Sequence, residues 1–213
     1  MTAKSANRNA AALLALVATL CAAIVAVTYQ LTADRITANQ RQYLAESLKP
    51  ALAGIEFDND LSSSVQAISA PGELPGRGEA TLYLATHSGT PAAWLFVVEA
   101  LDGYSGPIRL LIGIAPHGGI TAVRVLEHRE TPGLGDGIDI ARSRWIEQFS
   151  GRSLTNPDPP GWNIRRDGGE FDQFTGASVT PRAVVRAVSQ TLAFFAAHRE
   201  TLPQPGDSQK EQP

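Results

Sequence analysis

TLYLATHSGTPAAWLFVVEALDGYSGPIRLLIGIAPHGGITAVRVLEH, residues 81–128, is the stretch that decides the fold. Four runs inside it, 81–86, 93–100, 108–115 and 120–128, are short and apolar or alternating, as strands are. In the last run Val123, Val125 and Glu127 alternate with Arg124 and Leu126, so its amphipathic character is partial. Gly103-Tyr104-Ser105-Gly106 joins the second run to the third, and Pro116-His117-Gly118-Gly119 joins the third to the fourth as a hairpin loop. Connections this short imply an antiparallel sheet.

Downstream of the strands, residues 130–138 form a glycine-rich loop. Residues 140–149 read as a helix, with Trp145, Ile146 and Phe149 spaced to bury. A Pro/Gly turn over 156–161 precedes a short strand expected over 162–166. Thr180 followed by Pro181 gives the N-cap and first residue of a last helix. Val185, Val188, Leu192 and Phe195 place one apolar face on it. The Pro-, Gln- and charge-rich tail, 201–213, reads as disordered.

Upstream, 54–80 is broken by Asp58-Asn59-Asp60, Pro71-Gly72 and Pro75-Gly76, and reads as loops with a short helix. Residues 31–49 read as a helix, with Ile36, Tyr43, Leu44 and Leu48 near one face and Pro50 beyond its end. Residues 10–29 contain no charge. About 20 apolar residues at ~1.5 Å each cross a hydrocarbon core of ~30 Å. Lys4 and Arg8 precede this run, which by the positive-inside tendency keeps residues 1–9 cytoplasmic and puts all that follows on the periplasmic side of a bacterial inner membrane. A cleaved signal peptide has a shorter apolar region. A lipid-modified Cys21 would follow small residues, whereas Thr19 and Leu20 precede it and the run continues past it. The reading is therefore α+β: a single transmembrane helix (10–29), a connecting helix and loops (30–80), a domain of antiparallel sheet and packed helices (81–200), and the tail.

The chain has 213 residues and a net charge of −3, with no basic block, which argues against a nucleic-acid partner. One cysteine excludes an intramolecular disulfide. His128 has no second ligand at a suitable spacing, so no metal site is expected. Gly133-Leu134-Gly135-Asp136-Gly137 lacks the strand-to-helix spacing and final glycine of a dinucleotide fingerprint. Trp94, Trp145 and Trp162 read as core or interface residues. No nucleophile–base pair and no paired carboxylates stand in a catalytic context, so no catalytic residue is assigned.

Asp172-Gln173-Phe174-Thr175-Gly176-Ala177-Ser178-Val179-Thr180-Pro181 carries the chemistry. Small residues and hydroxyls stand just before a helix N-terminus, where free N–H groups and the helix dipole favour an anion. Gly176 and Ala177 leave room for a bulky group to approach the backbone. By spacing alone the segment reads first as a plain capped helix after a turn.

Asp172-x-x-Thr175-Gly176-Ala177-Ser178 resembles the D-x-x-[ST]-G-A-[ST] signature of proteins modified by flavin transferase, in which the last hydroxyl is joined to FMN through a phosphoester. The resemblance implies Ser178 as the attachment site and FAD as the source of the flavin; threonine is commoner there, and serine keeps the hydroxyl. Thr175 is the fallback acceptor and Thr180 a weaker one. His128-Arg129-Glu130-Thr131-Pro132-Gly133-Leu134-Gly135 is similar to the H-x-E-T-P-G-L-G loop of the same FMN-binding domains, and Gly103-Tyr104-Ser105-Gly106 to a third block. The three blocks, in this order behind a single anchor, resemble the G subunits of Rnf-type (Rsx) ion-translocating oxidoreductases. The C subunits of sodium-pumping NADH:quinone reductases share the domain.

The resemblance implies that Thr131, Gly133 and Leu134 supply backbone contacts and an apolar face to the flavin, with Gly103 and Tyr104 nearby. Glu130 either accepts backbone N–H bonds that orient its loop or sits near the ring. It implies an electron carrier without independent turnover, in a membrane complex that couples ferredoxin and NAD(H) redox chemistry to ion movement. Its partners would be the other membrane subunits and, during maturation, the transferase. A quinone-reductase C subunit is the alternative within the family, against which the short chain and the absence of a long insertion argue. A flavin-free periplasmic binding module is the alternative outside it.

Overall fold

The computed structural model describes residues 13–23, 25, 28–29, 48–52 and 54–205. The chain divides into Met1–Leu44 and Ala45–Pro213. In the first unit, residues 13–23 are helical (α1) and exposed, with Leu13, Leu14, Leu16, Val17 and Leu20 among them. Among the described residues no helix is long and apolar enough to cross a membrane. The span expected over 10–29 is described only in part, and the helix expected over 31–49 lies largely outside the described residues.

The second unit is built on a five-stranded antiparallel meander in the order β1-β2-β3-β4-β5. The strands are β1 Gln66–Ser69, β2 Glu79–His87, β3 Thr90–Ala100, β4 Ile108–Ile114 and β5 Ile120–Glu127. The four expected strands are all present, within a few residues of their expected ends. Ser88 and Gly89, both at positive φ, make the two-residue β2–β3 turn, whose hand matches the strand twist.

β1 falls in the stretch read as loops. Its four residues pair only with residues 79–82 of β2, too short a run to show a period. Side chains cover the rest of that edge. The Leu84 N–H donates to Ser64 Oγ, and Asn59 pairs with the Leu84 carbonyl and the Thr86 N–H, which blunts an otherwise open ladder.

Each face of the sheet is covered. On one, Leu82, Leu84, Trp94, Phe96, Leu110 and Ile112 meet α2, Val179–His198, whose Val185, Val188, Leu192 and Phe195 are buried as the spacing predicted. Phe195 meets Trp94 edge-on at 5.4 Å between centroids. On the other, the 3₁₀ turn Lys49–Leu52 lies on β4 and β5, where Thr121 Oγ1 donates to the Ala51 carbonyl. Gly113 permits that approach, because a Cβ there would come within 2.8 Å of the same oxygen.

Three local expectations are corrected. The helix over 140–149 is reduced to a 3₁₀ helix, Trp145–Phe149. Asp139 Oδ1 takes the Ala141 N–H and Ser143 Oγ takes the Trp145 N–H, so side chains compete with the helical ladder. The strand over 162–166 is a single bridge, Ile164 to Phe171, followed by the 3₁₀ helix Arg165–Asp167. Gly168 at φ +88° turns the chain back too soon for a strand to extend. The last helix starts at Val179, with Ser178 and not Thr180 at its N-cap.

A second set of aromatic rings supports the loops after β5. Phe149 stacks on Phe171 at 4.7 Å, with Trp145 and Trp162 against them. All three tryptophans are buried. The chain stays packed as far as Leu202, which is buried, and the Pro203 carbonyl accepts from Trp94 Nε1. Residues 206–213 lie outside the described residues.

Candidate functional site

Three loops converge at the N-terminus of α2. The first is the β3–β4 connection, residues 101–107. The second is the loop after β5. There the Leu134 and Gly135 N–H groups both donate to the Thr131 carbonyl, and Gly133, at φ +78°, donates to Asp136 Oδ1. The third is the turn Phe174-Thr175-Gly176-Ala177, closed by Ala177 N–H to Phe174 O at 3.1 Å, with Gly176 at φ +81°.

Phe174 anchors the third loop. Its ring packs on Trp145 at 5.4 Å and fills the space a Cβ on Gly137 would need, 2.8 Å away. Trp145 Nε1 also donates to the Asp172 carbonyl at 2.7 Å, and the Asp172 side chain pairs with Arg165. Asp172 therefore faces away from the cleft, on the exposed surface.

Between the loops lies a cleft of about 150 Å³. Of the residues singled out in the sequence, Tyr104, Glu130, Thr131, Leu134, Gly176, Ala177 and Ser178 line it. Gly103, Gly133 and Thr175 do not. Gly103 lies behind the wall, where a Cβ would come within 2.9 Å of Glu130 Oε1. Gly133 serves the turn. Thr175 sits exposed at the tip of its own turn. Gly135 and Val179 also line the cleft without having been assigned to it, as does Thr180, expected only as a weaker acceptor.

Ser178 is half-buried, and its hydroxyl makes no cap bond to the helix it precedes. The N–H groups of Val179 and Thr180 open the helix and have no carbonyl one turn back within it. They offer donors and the positive dipole end to an anion beside Ser178. No lysine or arginine lines the cleft. The arginine nearest Ser178 in sequence, Arg182, is clamped by Asp167 through Nε–Oδ2 at 2.6 Å and a second bond at 3.1 Å. That hydrogen bond holds the Asp167 carboxyl below its usual range. The electrostatics of the cleft thus come from the backbone and from one acid.

That acid is Glu130, 4% exposed. It accepts from the Ser105 N–H at 3.0 Å and from Thr180 Oγ1 at 2.5 Å. It accepts a backbone N–H from the neighbouring β3–β4 loop, where the expectation placed such bonds within its own loop, and it also lines the cleft. Thr180, expected to cap the helix, is buried with its hydroxyl given to Glu130. No local signal pairs these two residues.

The rim is apolar and open, with Tyr104 71% and Leu134 48% exposed. A larger hollow of about 390 Å³ lies elsewhere on the sheet, between Arg77, Glu99 and Arg109. It holds no residue of the three loops, and its lining mixes strand residues such as Ile68 and Val97 with charges of both signs, so the smaller cleft is the candidate site. These residues fit a phosphate-bearing flavin: a hydroxyl without a cap bond, helix N–H groups, a glycine-bearing turn and an apolar rim. Among the described residues, no group of three His, Cys, Asp or Glu is placed to hold a metal ion.

Residues 103–193 match the family model of an FMN-binding domain, and residues 1–50 match that of an RnfG N-terminal region. Curated relatives include the G subunit of the ion-translocating oxidoreductase complex of Pseudomonas aeruginosa, 42% identical over 97% of this chain and 96% of the relative. The same-named protein of Aliivibrio fischeri is 39% identical over 92% and 93%. Among solved structures, Shewanella oneidensis NqrC aligns with a TM-score of 0.47 at 20% identity, covering 68% of this chain and 74% of that one.

Proposed function

Because the chain belongs to the family of G subunits of ion-translocating oxidoreductase complexes, we propose that it is the member carrying a covalent FMN on Ser178 in an Rnf-type complex that couples ferredoxin and NAD(H) to ion movement. The observation that supports this most is the convergence of the three motif loops on one cleft, with the Ser178 hydroxyl unengaged at its floor. Bound flavin supplies one- and two-electron transfer, and the chain supplies position and electrostatics.

In attachment, Ser178 Oγ bonds to the FMN phosphorus of FAD, the phosphate–phosphate bond breaks, AMP leaves and the hydroxyl proton passes to solvent. No oxidation state changes in this step. The helix N–H groups of Val179 and Thr180 then face the phosphate charge. Leu134 and Tyr104 offer apolar surface to the ring, and Thr131 the edge of its loop. At about 150 Å³ the cleft is smaller than the roughly 300–1,000 Å³ of sites that enclose their ligands. A flavin held there would be only partly covered, as a carrier that hands electrons to neighbouring subunits requires. The tether keeps the cofactor in place while the cleft is open.

Two measurements test this reading. Intact mass of the full chain, made with and without an active flavin transferase, should differ by one FMN less water, and the denatured protein should stay yellow. Equal masses would leave the flavin-free binding module as the better reading. The second concerns placement. The domain is proposed to be periplasmic behind a single inner-membrane span, supported by Lys4 and Arg8 ahead of the uncharged run 10–29. Protease added to spheroplasts should digest residues 81–200, and full protection would reverse the orientation.

A further inference from the structure

Glu130 is a buried carboxylate with no cation beside it among the described ion pairs. Burying a carboxylate is costly unless donors surround it, and here the donors come from two other segments. Oε1 takes the Ser105 N–H from the β3–β4 loop, and Oε2 takes the Thr180 hydroxyl from the second residue of α2. Two glycines bring the segments close. A Cβ on Gly103 would stand 2.9 Å from Oε1, and one on Gly135 would stand 2.8 Å from Oε2 and 2.9 Å from Thr180 Oγ1. Each carboxylate oxygen thus has one donor and one glycine against it. The loops it joins carry Tyr104, one residue before Ser105, and Ser178, two residues before Thr180.

We propose that Glu130 is the positioning residue of flavin attachment: one buried carboxylate clasps the β3–β4 loop and the start of α2, and so holds Tyr104 and Ser178 in fixed relation across the cleft. The inference rests on Ser178 as the attachment site. It gives Thr180 a function distinct from capping, and it explains why both Gly103 and Gly135 lack side chains. Glu130 acts on the reacting hydroxyl only through these neighbours.

The test uses the full chain in its flavin-free form as substrate for flavin transferase and FAD, at a temperature where each variant is folded by circular dichroism. Misplacing a reacting group by about 1 Å costs up to about a hundredfold in rate, so Glu130→Ala and Thr180→Val should each lower the labelling rate at saturating protein by about ten- to a hundredfold. KM should be little changed. Glu130→Gln should restore at least half the rate, because its amide oxygen accepts from Ser105 and its NH₂ donates to the Thr180 hydroxyl; Thr180→Ser should do the same. Wild-type labelling of folded Glu130→Ala or Thr180→Val would overturn the proposal, as would Glu130→Gln no better than alanine. If neither Glu130→Ala nor Thr180→Val folds, the carboxylate holds the fold and not the site, and the proposal fails. An unlabelled wild type, or an adduct away from Ser178, would count against the attachment reading instead, so the two failures are distinct.

Discussion

Ser178→Ala is expected to abolish the covalent flavin while leaving the fold intact. Ser or Thr to Ala at a helix N-cap ordinarily costs about 0.5–2 kcal/mol, because the side-chain oxygen caps a first-turn N–H. The Ser178 hydroxyl makes no such bond. The loss should therefore stay within about 0.5 kcal/mol, the range of substitutions away from structural features. The label should fall from full to none, since alanine offers no oxygen to phosphorus. Ser178→Thr should keep it. Thr175→Ala should also keep it, because Thr175 is exposed at the tip of its turn and does not line the cleft. In-gel flavin fluorescence after denaturation reads the result, and peptide mass spectrometry locates the adduct. A full-strength band in Ser178→Ala would move attachment to Thr175 or Thr180. Of those two, Thr180 is buried with its hydroxyl held by Glu130, so Thr175 would be the first to examine.

Phe149→Ala should cause the largest loss of stability among single changes near the site. The ring is 0% exposed. It stacks on Phe171 at 4.7 Å and 23°, and touches Trp145 at 5.5 Å and Trp162 at 6.3 Å. Removing a buried phenylalanine costs about 3–5 kcal/mol, part of it the cavity left behind. That is a large share of a typical domain stability of about 5–15 kcal/mol. The cavity would open where the segments carrying Trp145, Trp162 and Phe171 meet and would loosen the 171–178 loop that carries Ser178. Urea unfolding of the full chain should show the midpoint fall with the slope unchanged. A loss below about 1 kcal/mol would mean that the rings collapse into the space and that the cluster is not the support described.

Much of this protein was legible in the chain because its signals are local. The four runs in 81–128 alternate or are uniformly apolar over distances longer than any side-chain competition, so each strand follows from its own residues. The two loop blocks and the segment 172–181 are contiguous, and a contiguous motif survives folding unchanged. That is why most of the assigned residues meet in one cleft. Where signals were short or polar, the outcome passed to neighbours. Asp139 and Ser143 took backbone N–H groups that a helix over 140–149 would have used. β1 has four residues and exists because β2 presents a matching edge.

By itself the sequence determined strands β2 to β5 and the buried face of α2, since each is set by periodicity or by adjacent residues. The tertiary structure decided the rest. It started α2 at Val179, gave Thr180 to a carboxylate 50 residues away, laid the 3₁₀ turn Lys49–Leu52 on β4 and β5, and placed Gly133 and Thr175 outside the cleft. The physical reason is that a buried polar group must find its partners wherever packing brings them, and no spacing along the chain records which distant donor that will be.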